Sequence, residues 1–283
     1  MRERLTKFHE QDLKFFEPEA KIGLLATINQ GGLPHITLIT ALQAKTPAEL
    51  IWGQFSEGLS KQNVQINNKT GFLIMTLDKS LWRGKALWRR VATHGADYDM
   101  FNNKPMFRYN AYFGIHTVHY MDLVETYGRE TLPLSRIVLG SLLTKFAKTA
   151  VKQKTGAARI LKPWAEGLFN RLNSLKFLAF IDHDGFPAII PLIQCQAADS
   201  TRLVFSPLAY REELHALRMN SHVAVFGLTL EMEDILVRGK FCGFEKHRCI
   251  TLGIVDINWV YNPMPPKPGQ IFPVRELEAV FNF

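Results

Sequence analysis

The chain repeats itself, and that constrains its fold more than any other feature. "LLATINQGGLPHITLI" from Leu24 to Ile39 has a second version, "FLAFIDHDGFPAIIPLI", from Phe177 to Ile193. Ala26 matches Ala179, Ile28 matches Ile181, Gly32 matches Gly185, Pro34 matches Pro187 and Ile36 matches Ile189, each pair 153 residues apart. "LIW" at Leu50 and "LVF" at Leu203 keep that spacing. "WRGKA" at Trp82 and "VRGKF" at Val237 are 155 apart, so one loop differs by two residues. Ordered matches at one spacing mean two copies of a single unit, and 283 residues are enough for two domains.

Each copy reads as β structure with one helix inserted. An apolar strand leads to a polar turn, "NQGG" or "DHDG", where glycine takes positive φ and reverses the chain. A second strand begins at "LP" or "FP", where a missing N–H is tolerated. "ELIWGQF" or "RLVFSPL" is a third strand, "LSKQNVQINN" or "REELHALRMN" a helix, "GFLIMTL" or "HVAVFGLTL" a fourth strand, and the "RGK" segment a fifth. The expected fold is mainly β, an antiparallel meander closing into a small barrel, twice over. A hydrophobic content of 47%, with 20 phenylalanines, supplies two cores. The expected boundaries are 1–130 for the first barrel, 131–174 for a basic helical connector and 175–283 for the second.

The start of the first helix raises the functional question. In "SEGLSKQNVQINN", from Ser56 to Asn68, small hydrogen-bonding groups and one lysine crowd a helix N-terminus. Free N–H groups and the positive end of the helix dipole suit an anion. Ser56 and Ser60 add hydroxyl donors, and Lys61 a counter-charge. The plainer alternative makes Ser56 an N-cap and Lys61 a solvated lysine.

Gly32-x-Pro34, the strand Leu50 to Phe55, Ser56, Ser60, Lys61, "INN" and "RGKA" at Arg83 to Ala86 together resemble the FMN-binding split barrels related to pyridoxamine 5′-phosphate oxidase. The resemblance covers about residues 20–125 well and 175–260 more loosely. It implies two tandem split barrels and a cofactor set of Thr37, Gln54, Ser56, Ser60, Lys61 and Asn63 around FMN, with no catalytic residue named. Thr37 and Leu42 stand where the oxidases carry an arginine and a lysine. The implied function is therefore an FMN-dependent oxidoreductase with another substrate. The alternative is a protein that stores or senses flavin or haem without turnover. In the second copy "PLAYREE" replaces "SEGLSK". Arg211 stands in for Lys61 there, but Glu212 and Glu213 repel a phosphate, so the second barrel is expected to be degenerate.

Other signals point to packing. His116 and His119 are three apart in a strand and face opposite ways, so no metal site is assigned. Trp52, Trp82 and Trp88 are expected in the core. Arg108, Tyr109 and Tyr112 are weighed as pocket residues, with surface and core roles preferred. Cys195, Cys242 and Cys249 form no C-x-x-C pair and are expected in or near the core of a cytoplasmic protein. The N-terminus lacks the apolar segment of a secretory signal, and no run reaches the roughly 20 apolar residues of a membrane span. The net charge is +8, and seven of the excess cations lie between Glu130 and Glu166, where there is no acid. That concentration argues against a nucleic-acid-binding surface. Leu139, Leu142, Leu143, Phe146 and Ala150 form a stripe expected to pack on a barrel, leaving the lysines solvated. "VYNPMPPKPGQIFP" is expected to wrap over a barrel or a neighbouring subunit, and a homodimer is left open.

Overall fold

A computed structural model of the chain describes residues 3–18, 20–108, 114–151, 158–263 and 269–273. Eight strands form the first sheet: β1 (Lys21–Ile28), β2 (Pro34–Leu38), β3 (Gln43–Thr46), β4 (Glu49–Gln54), β5 (Lys69–Thr76), β6 (Ser80–Ala92), β7 (Thr117–Thr126) and β8 (Glu130–Thr131). Helix α1 (Leu59–Ile66) lies between β4 and β5, and α2 (Ala96–Asn102) and α3 (Pro105–Arg108) lie between β6 and β7. Helices α4 (Leu134–Ala147) and α5 (Pro163–Asn170) follow. The second sheet contains β9 (Leu175–Ile181), β10 (Pro187–Pro191), β11 (Gln196–Ala197), β12 (Arg202–Phe205), β13 (His222–Leu228), β14 (Asp234–His247), β15 (Ile250–Asn262) and β16 (Gly269–Phe272), with α6 (Arg211–His215) after β12.

The two sheets have one topology. The first runs β2-β1-β5-β6-β7-β4-β3, with β8 on β6. The second runs β10-β9-β13-β14-β15-β12-β11, with β16 on β15. This is not the simple meander expected from the order of strands. After β4 the chain passes through α1, and β5 then pairs with β1 while β4 pairs with β7. The helix carries the chain across the barrel, so strands adjacent in sequence are not adjacent in the sheet. The structure is two tandem split β-barrels.

Local chemistry explains the shared elements. Gly32 and Gly185 take φ of 72° and 79° at the turns of the matching hairpins, where a side chain would be strained. Pro34 and Pro187 open the next strands. Gly84 and Gly239, the glycines of the repeated "RGK", sit beside shifts in strand register. A Cβ on Gly84 would lie 1.9 Å from the Glu125 carbonyl oxygen, and one on Gly239 2.2 Å from that of Asp256. Both copies need glycine there because a neighbouring backbone passes too close for any side chain.

Two compact units divide the chain. One comprises Met1–Gly32, Ile36–Leu132 and Asp182–Ile189; the other comprises Leu33–His35, Pro133–Ile181 and Ile190–Phe283. In the first, Phe16, Trp52, Phe72 and Trp82 are buried in one cluster, with Trp88 packed against it. The Trp82 indole donates to Asp12 at 3.0 Å. In the second, α4 lies against the edge of the sheet. The Ser206 amide donates to the Thr144 hydroxyl at 2.9 Å, and Gln196 donates to the Ser141 carbonyl at 2.9 Å.

Two expectations are corrected here. The buried face of α4 is Ile137, Gly140, Ser141, Thr144 and Ala147, whereas Leu139, Leu142 and Phe146 of the expected stripe are exposed. Small residues let the helix approach the sheet closely enough to hydrogen-bond, which leucines at those places would prevent. Among the cysteines, Cys195 is buried and Cys242 half-buried, but Cys249 is exposed in the turn before β15. The proline-rich segment returns to its own barrel as β16, pairing with β15; residues 264–268 and 274–283 lie outside the described part.

Candidate cofactor site

The first unit gathers the expected site residues at the junction of β4 and α1. Gln54 ends β4, Ser56 lies exposed in the turn, and Ser60, Lys61 and Asn63 lie on α1. Gly58 is the N-cap and offers no side chain to the free N–H groups. Thr37 is half-buried on β2, the neighbour of β1, and β1 is the strand to which Asn63 ties α1. Leu42 is fully buried in the core, so the position where the oxidases carry a lysine is here a packing position.

Asn63, Gln54, His119 and Trp88 keep the junction in place. Asn63 is buried, and its amide donates to the Thr27 hydroxyl of β1 at 3.0 Å, tying α1 to the sheet. Gln54 donates to Glu57 at 3.2 Å, and its Oε1 lies 2.7 Å from His119 Nε2. The Trp88 indole donates to His119 Nδ1 at 3.1 Å, so the imidazole proton is on Nε2 and is donated to Gln54. A chain of donors thus runs Trp88, His119, Gln54, Glu57 into the turn before α1. Burial, with the electrostatic influence of nearby Lys61 and His116 adding to it, depresses His119 to about 3. The ring is neutral at physiological pH, so the chain of bonds persists there. His116, by contrast, is exposed and bonded to Thr117.

Ser60 and Lys61 are different in kind. The Ser60 hydroxyl is fully buried, and its oxygen has no hydrogen-bond partner among the described residues. Such a group costs about 1–3 kcal/mol unless something satisfies it. Lys61 is partly buried, and burial lowers its pKa although Glu57 opposes the shift. It makes no ion pair with a described residue. A buried hydroxyl without a partner among the described residues, a partly desolvated ammonium and a helix N-terminus together fit an anionic oxygen-rich group, and a phosphate monoester has that chemistry.

The second unit lacks this set. Its helix α6 has five residues, and its N-cap is Tyr210. Arg211, Glu212 and Glu213 open this helix, and at the repeat's spacing of 153 Lys61 falls on Leu214. Arg211 therefore does not fall on the Lys61 position.

No family model matches this chain, and no curated protein does. Solved structures match parts of it. HupZ from Group A Streptococcus is 14% identical over 42% of this chain and 90% of its own, with a TM-score of 0.35. An FMN-binding protein from Syntrophomonas wolfei is 15% identical over 37% of this chain and 74% of its own, at 0.32. A Lactobacillus delbrueckii protein, provisionally assigned as a pyridoxamine 5′-phosphate oxidase, is 17% identical over 44% and 98%, at 0.35. Each of these covers less than half of this chain. The assignment as split barrels rests on the chain's own two sheets.

Sequence reasoning missed the cluster under the "RGK" strand. Lys85 is buried, with its ammonium 2.7 Å from both Asp182 and Asp184 and 3.2 Å from Glu125. Burial works against its charge, but the two hydrogen-bonded aspartates outweigh it and hold the pKa above the ordinary lysine range. Arg83 pairs with Glu130 and donates to the Ile189 carbonyl at 3.1 Å. The signal available was the change from "NQGG" to "DHDG" between copies, which adds two acids. These cations are neutralised within the unit. Arg108 is exposed at the end of α3, and Tyr109 and Tyr112 lie outside the described residues.

Proposed function

We propose that the first unit binds FMN through its phosphate at the start of α1 and that the chain is a flavin-dependent oxidoreductase. The observation that carries this reading is the buried Ser60 hydroxyl, without a hydrogen-bond partner among the described residues, next in sequence to the partly buried Lys61. Ser56, at the mouth of the same turn, is placed to add a donor. Gln54 and Asn63 contribute by fixing the turn and the helix rather than by facing the ligand with free groups. Thr37, on the strand next to β1, completes the set. Bound FMN supplies electron or hydride transfer, and the protein supplies binding and orientation.

The substrate differs from pyridoxamine phosphate in this reading. Leu42 is a core residue, and no arginine stands at Thr37. The second unit, with Glu212 and Glu213 at its helix start, holds no phosphate of its own. The reading is of a cytoplasmic enzyme. Its test is a fluorescence titration of the purified protein with FMN and with riboflavin. FMN should bind more tightly by tenfold or more, the effect of a charge-assisted hydrogen bond worth about 1.5–3 kcal/mol. Equal affinities would remove the phosphate assignment. Anaerobic addition of NADH or NADPH then separates an oxidoreductase, whose flavin bleaches and turns over, from a protein that only stores or senses flavin.

A further inference from the structure

We infer that α4 is a membrane-surface anchor, docking on an anionic lipid bilayer through the face turned away from its own barrel. The helix has 14 residues. At about 100° per residue, Val138, Leu139, Leu142 and Phe146 share an arc roughly 100° wide, directly opposite the buried Gly140, Thr144 and Ala147. Ser135 is the one polar residue in that arc. Val138 is 59% exposed, Leu142 54% and Phe146 58%. Single exposed apolar side chains are ordinary, but a contiguous row on one helix marks an interaction surface.

The charges select the partner. Lys145 borders one edge of the arc, and Arg136 lies past half-buried Leu143 on the other side; both cations are exposed. Arg248, from the turn between β14 and β15, lies with its guanidinium 5.1 Å from the Phe146 ring and donates to the Phe146 carbonyl at 3.1 Å. No acid occurs between Glu130 and Glu166, and Glu166 is paired with Arg159. Glu245, in the Arg248 turn, is paired with His247. An apolar face rimmed by Lys and Arg matches a helix lying in the plane of an anionic membrane, with its leucines among acyl chains and its cations at the headgroups. A second copy of this chain suits the face less well. In a two-fold contact the patch meets itself, so cations would meet cations with no acid between them. No helix among the described residues is long and apolar enough to cross a membrane, so the anchor lies on the surface.

The test is flotation of the full chain with vesicles of phosphatidylcholine and phosphatidylserine, against pure phosphatidylcholine, at low and at physiological salt. Two variants accompany it, Leu142→Ser/Phe146→Ser and Arg136→Glu/Lys145→Glu, each checked for folding by thermal unfolding. Binding to the phosphatidylserine vesicles is expected, weakened by salt and reduced in both variants. The charge variant should lose about 25-fold or more, at roughly fivefold per cation. If the apolar variant does not fold, the charge variant decides alone. Absence of binding, binding indifferent to lipid charge, or binding unchanged in the charge variant would overturn the inference. A solution dimer dissociated by the apolar variant would assign the face to a second copy instead. None of these readouts depends on flavin.

Discussion

The indole of Trp52 lies flat on the imidazole of His119, with ring centroids 3.6 Å apart and planes 7° from parallel. Both rings are buried, and His119 is held neutral with its pKa near 3. An unfolded chain would protonate this histidine near its ordinary 6.5. Because the folded value is depressed, the stability that His119 contributes is fully present above about 6.5. It is lost progressively as pH falls toward 3, by up to roughly 5 kcal/mol. His119→Phe keeps a ring against Trp52 but removes the titration. It should cost about 2 kcal/mol at neutral pH, since Trp88 and Gln54 lose their partner. Denaturant midpoints measured from pH 3 to 7 should decline less steeply in the variant than in the wild type. Parallel profiles would contradict the assignment.

Ser60→Ala and Lys61→Ala should both weaken FMN. The lysine change should cost roughly tenfold or more, and the serine change several-fold, consistent with the net worth of charged and neutral hydrogen bonds. Without ligand, Ser60→Ala should leave stability unchanged or raise it, because it deletes an unsatisfied buried hydroxyl. Arg211→Ala, on the helix start that also carries Glu212 and Glu213, should not affect flavin affinity. Fluorescence titration and thermal unfolding read these effects. Equal losses for Lys61→Ala and Arg211→Ala would show that the two units do not differ in the way described.

Lys85→Met should be among the most damaging single changes in the first unit. It leaves Glu125, Asp182 and Asp184 facing one another around a buried position. Removing one partner of a buried ion cluster typically costs about 3–5 kcal/mol. Adding Asp182→Asn and Asp184→Asn to Lys85→Met should recover part of that loss. Chemical denaturation of the wild type, the single variant and the triple variant measures it. No recovery in the triple variant would mean that the aspartates do not depend on Lys85.

Gly84→Ala and Gly239→Ala should destabilise alike, each by a few kcal/mol, because each new methyl meets a carbonyl oxygen across the strand. Gly32→Ala and Gly185→Ala should also destabilise, but for another reason, the positive φ of the turn. Urea midpoints of the four variants distinguish them from a surface control such as Gly167→Ala, where a Cβ meets nothing within 4 Å. A tolerated Gly84→Ala would mean that the strands separate more readily than their register implies.

Much of this molecule was legible in its sequence. The repeat at a spacing of 153 fixed the presence of two like units, the glycines and prolines fixed the hairpins, and the serines and lysine before "QNVQINN" marked a helix start with anion chemistry. These are local properties: backbone conformation at a turn and free N–H groups at a helix end depend on a few adjacent residues. Strand partners were not legible. Pairing of β5 with β1 and of β4 with β7 joins residues far apart in the chain, and nothing in strand periodicity selects one partner over another. The orientation of α4 was not legible either. Its helical wheel has a large apolar face and a small one, and hydrophobicity favours burying the larger. Only the tertiary structure shows that close approach and hydrogen bonds from Ser206 and Gln196 placed the small face inside. The same is true of Ser60 and Asn63, three residues apart on one helix. Asn63 bonds to Thr27 while Ser60 remains buried without a partner, and that difference depends on what packs above each side chain.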